Sequence, residues 1–404
     1  MDSRSQHRMT EQYKYRYFYF KNGDVAAQVE RVLALNGKKP TGGPDAFIAD
    51  FLEKGQVSAV TVAAFLDQDQ TVEHGTMRAR TYCNVGLWHR LKTLIRYPKE
   101  ILAAKPERIL CGRQGYALAI CLIAGKVLHA PVVFSAHNRL SGQAAGIKGR
   151  IRNGLDAWLI RRCDAAICHG PYLAQELADI GLPPDRITVF DSGCADLCPD
   201  GGFQDVQPPL PPRILFLGRM VREKGIFDLL EAFHCLIKDG MTAQLVYAGD
   251  GTDRLILAKK VQEFGLQAHV QLLGPIPHGD IGALIQSAWA MVTPTRSEFP
   301  EGRCMSAMEA LAIGTPVIAP NDGPFPYLIN SGVNGILYKQ NSLPELTKAL
   351  AAIISTNELR TELSVNCWES RYFLLRPEKT FGEAVMSALN RSTLREDIVT
   401  TLRN

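Results

Sequence analysis

The sequence lacks a long uninterrupted run of apolar residues. Its most apolar stretch, residues 116–134, contains Lys126 and His129 and is broken by Pro131. Its apolar part is too short to cross a bilayer and predicts a buried helix followed by a strand. The polar first 16 residues show no apolar core of a secretory signal. These absences predict a cytoplasmic protein, with peripheral attachment to the inner face of the cell membrane as a further expectation.

The sequence also lacks closely spaced metal-ligand pairs. The 10 cysteines are scattered without a C-x-x-C pair, and the 9 histidines show no metal-like spacing. We therefore expect reduced thiols packed as small apolar side chains, and neither a metal nor another cofactor. The sequence Asp67-Gln68-Asp69 resembles a metal-binding D-x-D, but it is predicted to be a solvated turn. No G-x-G-x-x-G follows a strand, which disfavours a dinucleotide oxidoreductase.

Short β-rich segments alternate with helical patterns along the whole chain, which predicts an α/β fold with parallel sheets. The proline-rich segment 205–213 marks the best domain boundary. We predict two Rossmann-like, doubly wound domains facing across a cleft, with boundaries 1–207 and 208–378, and a helical segment 379–404 that packs back on the first domain. The predicted strands are 16–20, 57–65, 108–111, 131–135, 164–169, 186–190, 214–217, 244–248, 269–273, 290–293, 316–319 and 336–338.

The net charge of +4 is spread unevenly. Residues 76–162 hold 16 basic and 3 acidic residues, and a segment near residue 90 interleaves Arg and Lys with Leu, Trp and Ile. Such a block is either a solvated face or a contact for an anionic surface. A basic amphipathic helix favours an anionic membrane surface as partner, and we predict no nucleic-acid binding.

The sequence Ile214–Phe233 (ILFLGRMVREKGIFDLLEAF) carries the first candidate site. A strand ends at Gly218, Arg219 follows at once, and Lys224 precedes the next helix. A helix start offers free N–H groups, Arg219 offers a bidentate phosphate contact, and Lys224 adds a compact charge. This arrangement suits a diphosphate. A solvated strand-to-helix turn is the alternative interpretation.

The second candidate site lies in Pro294–Pro320, where Glu301 stands near a helix start and Glu309 stands eight residues later. Eight residues of α-helix span about 12 Å, so the two carboxylates suit separate parts of one elongated ligand, such as sugar and ribose hydroxyls. The alternative is a Glu near a helix N-terminus and a surface Glu.

An ordered set of motifs runs through the second half of the chain: GRMVREKG, YAGDG, E-x7-E from Glu301 to Glu309, GTPVIA and SGVNGILY. The first half adds TGGPDAFIADFLEKG, VVFSAHN, CDAAICHGPYL and ITVFDSG. In this order the motifs resemble family 4 of the retaining glycosyltransferases, which have the GT-B fold. The resemblance covers nearly all of the second half.

The resemblance implies roles for individual residues. Arg219 and Lys224 hold the donor diphosphate, Glu301 contacts the donor sugar, and Glu309 contacts the ribose. His137 stands near the reacting sugar, although a lone His after a strand is more often structural. Catalysis then rests on positioning and on positive charge beside the leaving diphosphate. The remaining residues implied to contact the donor are Gly42, Gly43, Gly218, Gly249, Gly302, Arg303, Cys304 and Met305.

The sequence departs from the family pattern at two places. Arg303 and Cys304 replace the usual Phe-Gly after Glu301-Gly302, and Tyr327 replaces a usual Glu. Arg303 either meets an acidic sugar or a donor phosphate, or points to solvent. Cys304 is predicted to pack. The changes put the sugar's identity in doubt rather than the reaction class.

The predicted function is transfer of a sugar, with retention, from a UDP- or GDP-sugar to a glycan or lipid-linked glycan such as a polyprenyl-linked acceptor. UDP is preferred, and the expected setting is cell-envelope or exopolysaccharide biosynthesis. Two alternatives remain at this point. One is a nucleotide-sugar epimerase on the same scaffold, and the other is a non-catalytic nucleotide-sugar-binding subunit.

Overall fold

The computed structural model describes most of the chain, and the statements below refer to that part: residues 16–21, 24–35, 48, 56–63, 68–75, 77–83, 87–140, 146–194, 210–375 and 378–389. The chain divides into two compact units. Unit 1 comprises Met1–Ser192 and Glu378–Asn404, and unit 2 comprises Gly193–Pro377. The division lies before the predicted boundary at residues 207 and 208. Of the predicted proline-rich linker, only 210–213 is among the described residues.

Unit 1 is built on an eight-stranded sheet whose strands alternate with helices. A helix near the C-terminal end of the chain returns to the same unit. Its elements are β1 (Arg16–Phe20), α1 (Val25–Ala34), β2 (Gln56–Ala63), β3 (Gln70–His74), β4 (Met77–Cys83), α2 (Leu87–Ala104), β5 (Arg108–Cys111), α3 (Tyr116–Leu128), β6 (Val132–Ala136), α4 (Gly146–Ile160), β7 (Ala165–His169), α5 (Pro171–Asp179), β8 (Ile187–Phe190) and α13 (381–389).

The strand order in unit 1 is β3-β4-β2-β1-β5-β6-β7-β8. All neighbouring strands are parallel except β3 and β4, which form an antiparallel pair at one edge. The sequence-based strand predictions omit both. The reason is visible in β3 (QTVEH), which is almost wholly exposed and therefore lacks the apolar alternation by which strands are predicted.

Strand β1 shows how unit 1 buries both faces of its sheet. Successive side chains of a strand point to opposite faces. Phe18 and Phe20 belong to one buried cluster, whereas Tyr17 and Tyr19 belong to another that also contains Phe381 from α13. A sheet covered on both faces is what a doubly wound fold requires.

Unit 2 repeats the architecture with a six-stranded, wholly parallel sheet in the order β11-β10-β9-β12-β13-β14. Its buried clusters also lie on both faces, with Phe216 in one and Leu215 in the other. Its elements are β9 (Arg213–Leu217), α6 (Ile226–Lys238), β10 (Gln244–Ala248), α7 (Arg254–Glu263), β11 (Val270–Gly274), α8 (His278–Gln286), β12 (Ala290–Val292), α9 (Met305–Ile313), β13 (Val317–Pro320), β14 (Gly335–Tyr338), α10 (Leu343–Ser355), α11 (Asn357–Ser370) and α12 (Tyr372–Leu375).

The apolar segment near residue 120 forms helix α3, as predicted, but the helix is not fully buried. Ile123 and Val127 are 66% and 63% exposed, so one stripe of α3 faces solvent. Among the helices of the described residues, none combines the length and apolar character that a bilayer span needs. Eight of the nine described cysteines are buried, and burial raises the pKa of Cys168 to about 12, as expected of packed thiols.

Candidate active site

The loop after β9 carries the first cluster of predicted site residues. β9 ends at Leu217, Gly218 and Arg219 follow, and a 3-10 turn at Arg222–Lys224 leads into α6. The side chain of Arg219 is exposed, whereas Lys224 is partly buried. Helix α6 begins directly after this turn, so its N-terminal N–H groups and the positive end of its dipole lie at the same loop.

The strand order of unit 2 brings the two predicted clusters to one place. β9 and β12 are neighbours, β10 and β11 extend the sheet on one side, and β13 and β14 extend it on the other. Ligands of doubly wound sheets bind beyond the carboxyl ends of the strands where the order reverses. Arg219 follows β9 and Glu301 follows β12, so both residues flank this reversal point.

Two backbone contacts hold the loop after β12 against the loop after β9. Gly225 has a φ of 73°, and a Cβ atom placed there would lie only 1.9 Å from the carbonyl oxygen of Pro294. The backbone N–H of Arg296 donates a hydrogen bond of 2.9 Å to the carbonyl of Glu223. Only glycine fits at position 225, and the backbones of the two loops are therefore in direct contact.

A side-chain pair strengthens the same junction. The Arg296 guanidinium donates to both carboxylate oxygens of Asp228, at 3.0 and 2.8 Å, and these hydrogen bonds raise the pKa of Arg296. Asp228 lies in the first turn of α6. Both hydrogen bonds come from Nη1 of Arg296 and are charge-assisted, which makes them stronger than bonds between neutral groups. Both residues lie inside the two candidate segments, but sequence reasoning did not single them out, because 68 positions separate them and no local pattern indicates that they pair.

Lys224 and Glu301 form the central charged pair of the site. The Lys224 ammonium donates a hydrogen bond to Oε2 of Glu301, and the side chains are only 16% and 12% exposed. The Thr295 hydroxyl donates to the same oxygen at 3.4 Å. In this partly buried position either charge alone would carry an uncompensated desolvation cost. The pair places a carboxylate and an ammonium group where the two loops meet.

An aromatic ring completes the arrangement. The Lys224 nitrogen lies 4.3 Å from the centroid of the Phe299 ring, and the Arg219 guanidinium carbon lies 5.3 Å from the same centroid. Both distances are in the range of a cation–π contact. The structure thus brings Arg219, Lys224 and Glu301, which were predicted from separate segments, around one ring.

The residues after Glu301 are buried. Arg303 is 7% exposed, so the interpretation in which it points to solvent is wrong. Cys304 occupies the N-cap position of α9, and burial raises the pKa of its thiol to about 11. The thiol is therefore protonated at neutral pH, in line with packing rather than chemistry. Gly302 is buried as well, and Met305 is the first residue of α9.

Glu309 lies in the middle of α9, whose other residues from Ala307 to Ile313 are all buried. Glu309 itself is partly exposed, which places its carboxylate at the boundary of an otherwise apolar helix. Its contact with a ribose stays a prediction. Tyr327, in the position of a usual acidic residue, is exposed at the end of a 3-10 turn.

The loop after β10 approaches the loop after β9 through Gly249. Its φ is 124°, and a Cβ atom there would lie 2.1 Å from the carbonyl oxygen of Gly218. A side chain at position 249 would therefore collide with the Gly218 backbone, whereas a Cβ atom at Gly218 would meet only the Phe216 ring, at 3.6 Å. Gly249, one of the glycines predicted from the family motifs, thus has a steric role within unit 2, whatever ligand it meets.

In unit 1, His137 follows β6 and packs among aromatic rings. Its Nε2 lies 2.9 Å from the Ser135 hydroxyl, and its ring centroid lies 5.6 Å from those of Phe190 and Phe381. Burial, and secondarily the charge of neighbouring His169, lower the pKa of His137 to about 3. The imidazole is therefore neutral at physiological pH, where it offers hydrogen bonds but no charge.

His137 lines a cavity of about 330 Å³ beyond the carboxyl ends of β5 and β6. At one wall the Asp156 carboxylate accepts a hydrogen bond of 2.8 Å from the backbone N–H of Gly115, just before α3. Burial raises the pKa of Asp156. Most lining residues carry polar groups, which suits a ligand rich in hydroxyls: Gly112, Arg113, Gln114, Gly115, Ser135, His137, Asn138, Arg152 and Asp156.

The remaining sequence-based candidates are two glycines of the first half and the D-x-D segment. Gly42 and Gly43 lie outside the described residues. In the D-x-D segment, Asp69 accepts a hydrogen bond of 2.9 Å from the Cys83 N–H and pairs with Arg96 at 2.5 Å, so it stabilises local structure. Across the part of the chain that the structure describes, no group of three or more His, Cys, Asp or Glu is placed to hold a metal ion.

Solved structures share this architecture. The structure of HepE from Anabaena, in complex with UDP and glucose, aligns with 95% of this chain and 99% of its own length, with a TM-score of 0.63 and 15% sequence identity. Such a likeness shows the fold. Two doubly wound units of this kind in one chain define the GT-B fold of glycosyltransferases, as predicted from the sequence.

The family follows from the sequence matches. Residues 203–367 match the family model "Glycosyl transferases group 1", and residues 56–194 match the model "Glycosyltransferase Family 4". Together the two models span most of both units. The chain belongs to glycosyltransferase family 4, which confirms the resemblance seen in the motifs.

Characterised relatives are distant. The glycogen synthase of Mycobacterium tuberculosis strain H37Rv is 27% identical over 231 residues, which is 55% of this chain and 54% of that protein. The alpha-D-kanosaminyltransferase of Streptomyces kanamyceticus is 24% identical over 301 residues, or 70% of this chain and 77% of that protein. The chain thus spans about half the length of the first of these relatives.

Proposed function

We propose that the protein is a retaining glycosyltransferase that moves a hexose-type residue from a nucleoside diphosphate sugar to a hydroxyl group. The observation that carries the proposal is the meeting of Arg219, Lys224 and Glu301 at the reversal point of the unit 2 sheet. Two fixed cations beside a helix N-terminus suit a diphosphate, and the anchored carboxylate suits sugar hydroxyls.

The proposed chemistry uses positioning and charge. The bond between the anomeric carbon and the diphosphate oxygen breaks, and the bond to the acceptor oxygen forms on the same face of the sugar. The acceptor proton passes to the departing diphosphate. Arg219 and Lys224 stabilise the negative charge that develops there, so no covalent enzyme intermediate and no metal ion is required. We accordingly expect activity to persist in the presence of a chelator.

We assign the donor nucleotide as UDP in preference to GDP, because the HepE structure, which shares the fold, holds UDP and glucose. The acceptor is proposed to be a glycan or a lipid-linked glycan of the cell envelope or an exopolysaccharide. A glycogen synthase among the relatives supports a glycan acceptor. Neutral His137 is proposed to hydrogen-bond a hydroxyl of the transferred sugar.

The diphosphate assignment is tested by calorimetric titration of UDP into the wild type, Arg219→Ala and Arg222→Ala. Arg222 lies in the same loop with an exposed side chain, so it is a matched control. Loss of a charge-assisted bidentate contact should weaken UDP binding about 10- to 100-fold in Arg219→Ala. Equal UDP affinity in all three proteins would show that Arg219 does not hold the diphosphate.

A thermal-shift screen of UDP- and GDP-sugars then selects the donor. Incubating that donor alone and following it by NMR separates transfer from epimerisation, because an epimerase converts the donor without an acceptor. Glu301→Gln separates an enzyme from a binding subunit. The substitution should abolish release of UDP from the donor, whereas a binding subunit would show no turnover in either protein.

A further inference from the structure

Helix α4 (Gly146–Ile160) in unit 1 exposes a continuous apolar ridge. Ile147, Ile151, Leu155 and Trp158 are 77%, 67%, 53% and 45% exposed. At 100° per residue these positions fall within an arc of roughly 80°, and at 1.5 Å per residue they extend over about 16 Å. Large apolar side chains that recur along one exposed helix face mark an interaction surface rather than a chance exposure.

Basic side chains border the ridge on both sides. On a helical projection Arg150 and Arg161 lie on one flank, and Lys148 and Arg152 lie on the other. All four are exposed. Asp156, the only acidic residue of α4, is buried on the opposite face and accepts a hydrogen bond from Gly115. The exposed surface of α4 is therefore apolar at its centre, basic at its edges and free of acidic groups.

Helix α3 extends the surface. Its exposed Ile123 and Val127 lie on the solvent-facing stripe. A groove of about 740 Å³, lined by apolar side chains that include Ile123 and Trp158, runs between α3 and α4, and Lys126 and Arg162 stand at it. The ridge of α4 and the stripe of α3 thus meet at one groove that is mostly apolar and basic; Asp164, whose carboxylate accepts a hydrogen bond from the Val132 N–H, is its one acidic lining residue.

Trp158 has the environment of an interfacial anchor. The Arg162 guanidinium stacks on its indole ring at 3.4 Å and also donates a hydrogen bond of 2.9 Å to its backbone carbonyl. The ring is thereby held in one orientation at the end of the ridge. Trp combined with a cationic neighbour is the pairing that sits at the headgroup level of a bilayer, where an apolar body and a polar rim are both satisfied.

The basic segment near α2 differs from α4. Arg80 pairs with Glu100, and Arg96 pairs with Asp69 at 2.5 Å. By contrast, Lys148, Arg150 and Arg161 form no ion pair with another residue that the structure describes, whereas the charge of Arg152 acts on the Asp156 carboxylate. Exposed Lys92 and Lys99 of α2 likewise form no ion pair with a described residue, so α4 is distinguished by the row of four exposed apolar side chains that its basic groups border.

We propose that the α4 ridge, together with the exposed stripe of α3, inserts into the interfacial region of an anionic lipid bilayer. The apolar side chains enter the acyl boundary, and the flanking Arg and Lys side chains contact anionic headgroups. Charge complementarity selects an anionic membrane over a second copy of the chain, because two such faces would bring like charges together. The inference goes beyond the proposed transfer reaction and does not depend on it.

Co-sedimentation with lipid vesicles tests the proposal. Wild type should bind vesicles of phosphatidylcholine mixed with phosphatidylglycerol and bind pure phosphatidylcholine weakly. Ile151→Ser/Leu155→Ser should weaken binding at least about tenfold, because two apolar side chains no longer enter the bilayer. Leu255→Ser/Ile256→Ser is the matched control, since these residues are exposed on α7 of unit 2; it should bind like wild type.

Charge is tested separately. Lys148→Gln/Arg150→Gln should weaken binding about tenfold or more, since each basic group near an anionic surface contributes to attachment. Lys238→Gln/Lys259→Gln, which removes two exposed charges from unit 2, should not change it. Brominated lipids should quench the tryptophan fluorescence of wild type and not that of Trp158→Phe. The quenching is observed on the wild-type protein, so it does not depend on whether a variant is destabilised.

Three results would overturn the proposal. The first is equal vesicle binding by the ridge variant and its control. The second is quenching that persists in Trp158→Phe. The third is a wild-type dimer that does not bind vesicles and that Ile151→Ser/Leu155→Ser converts to monomer in light scattering, because a second copy would then cover the ridge. Equal unfolding midpoints of the variants and the wild type show that folding is not the cause of any difference.

Discussion

The carboxyl ends of the two sheets carry different chemistry. In unit 2 the site consists of charges that are fixed in place, with Lys224 bonded to Glu301 and Arg219 beside the same Phe299 ring. In unit 1 the predicted catalytic residue is His137, an imidazole that its aromatic surroundings keep neutral. Related folds thus place a lysine–glutamate ion pair at the end of one sheet and, at the end of the other, a neutral imidazole in a cavity that Arg113, Arg152 and Asp156 also line.

The difference has a physical origin in burial and pairing. Lys224 lies in a partly buried place and is paired there with Glu301. His137 has aromatic rings and a hydroxyl around it, and its neighbour His169 is a potential cation, so the protonated form finds no compensation. A diphosphate is best held by the first arrangement, and sugar hydroxyls by the second.

The largest effect should come from removing the charge at Lys224. Lys224→Ala should lower kcat for release of UDP by about 10²- to 10³-fold, comparable to the loss of one preorganised group that stabilises developing negative charge. The reaction is measured with the donor that the thermal-shift screen selects. Arg222→Ala removes a cation from the same turn and should leave kcat within about twofold, because an exposed charge contributes little. Similar rates for Lys224→Ala and wild type would refute a charged leaving-group site in unit 2.

A smaller effect is expected from the glycine that joins the two loops of this site. Gly225→Ala places a methyl group against the Pro294 carbonyl and should lower the free energy of unfolding by about 2–4 kcal/mol through steric overlap and an unfavourable positive φ. Gly240→Ala is the matched control, since Gly240 has a φ of 85° but no atom within 4 Å of its would-be Cβ. It should cost only about 1 kcal/mol.

Urea denaturation of the two glycine variants measures the difference. If both substitutions lower the midpoint equally, the close contact between the loops after β9 and β12 does not stabilise unit 2. A Gly225→Ala protein that folds should also bind UDP more weakly, because the methyl group moves the turn that holds Lys224.

The smallest effect concerns the neutral His137 of unit 1. Its pKa is about 3 in the folded protein and near 6.5 in the unfolded chain, so the unfolded chain takes up the proton first as the pH falls. The stability that depends on this neutral imidazole is complete above pH 6.5 and is lost as the pH falls toward 3. The slope from this one group is at most about 1.4 kcal/mol per pH unit.

His137→Gln should therefore flatten the pH dependence of the unfolding free energy below pH 6.5 relative to wild type. His74→Gln, which replaces an exposed histidine in the same unit, serves as the control. Urea midpoints collected at several pH values between 6.5 and 4 provide the measurement. Parallel curves for His137→Gln and wild type would mean that the pKa of His137 is the same in the folded and the unfolded protein, and the contrast between the two sheet ends would disappear.

Much of the fold was predictable from local sequence. The elements that sequence reasoning identified are those with strong apolar patterns, such as α6 and the buried strands of unit 2. Strand β3 was not predicted, because it lies at the sheet edge and its pairing with β4, rather than its own composition, makes it a strand. The exposed stripe of α3 was also missed, because an apolar sequence does not reveal which face another element covers.

The candidate site was only partly predictable. Arg219, Lys224 and Glu301 stand in recognisable motifs, and their residue types indicate the ligand chemistry. The Asp228–Arg296 pair and the contact between Gly225 and Pro294 connect positions about 70 residues apart, and no local pattern encodes such pairings. For Arg303, the sequence left burial and exposure equally open, and the structure shows that it is buried.

The sequence by itself determined the α/β architecture, the family and the identities of the charged residues in unit 2, because apolar periodicity and short motifs are local properties. The tertiary structure alone decided which of these residues meet, since the reversal of strand order between β9 and β12 brings distant loops together. It also decided that His137 is neutral and that the α4 ridge is uncovered. Protonation state and exposure depend on neighbours that only folding supplies.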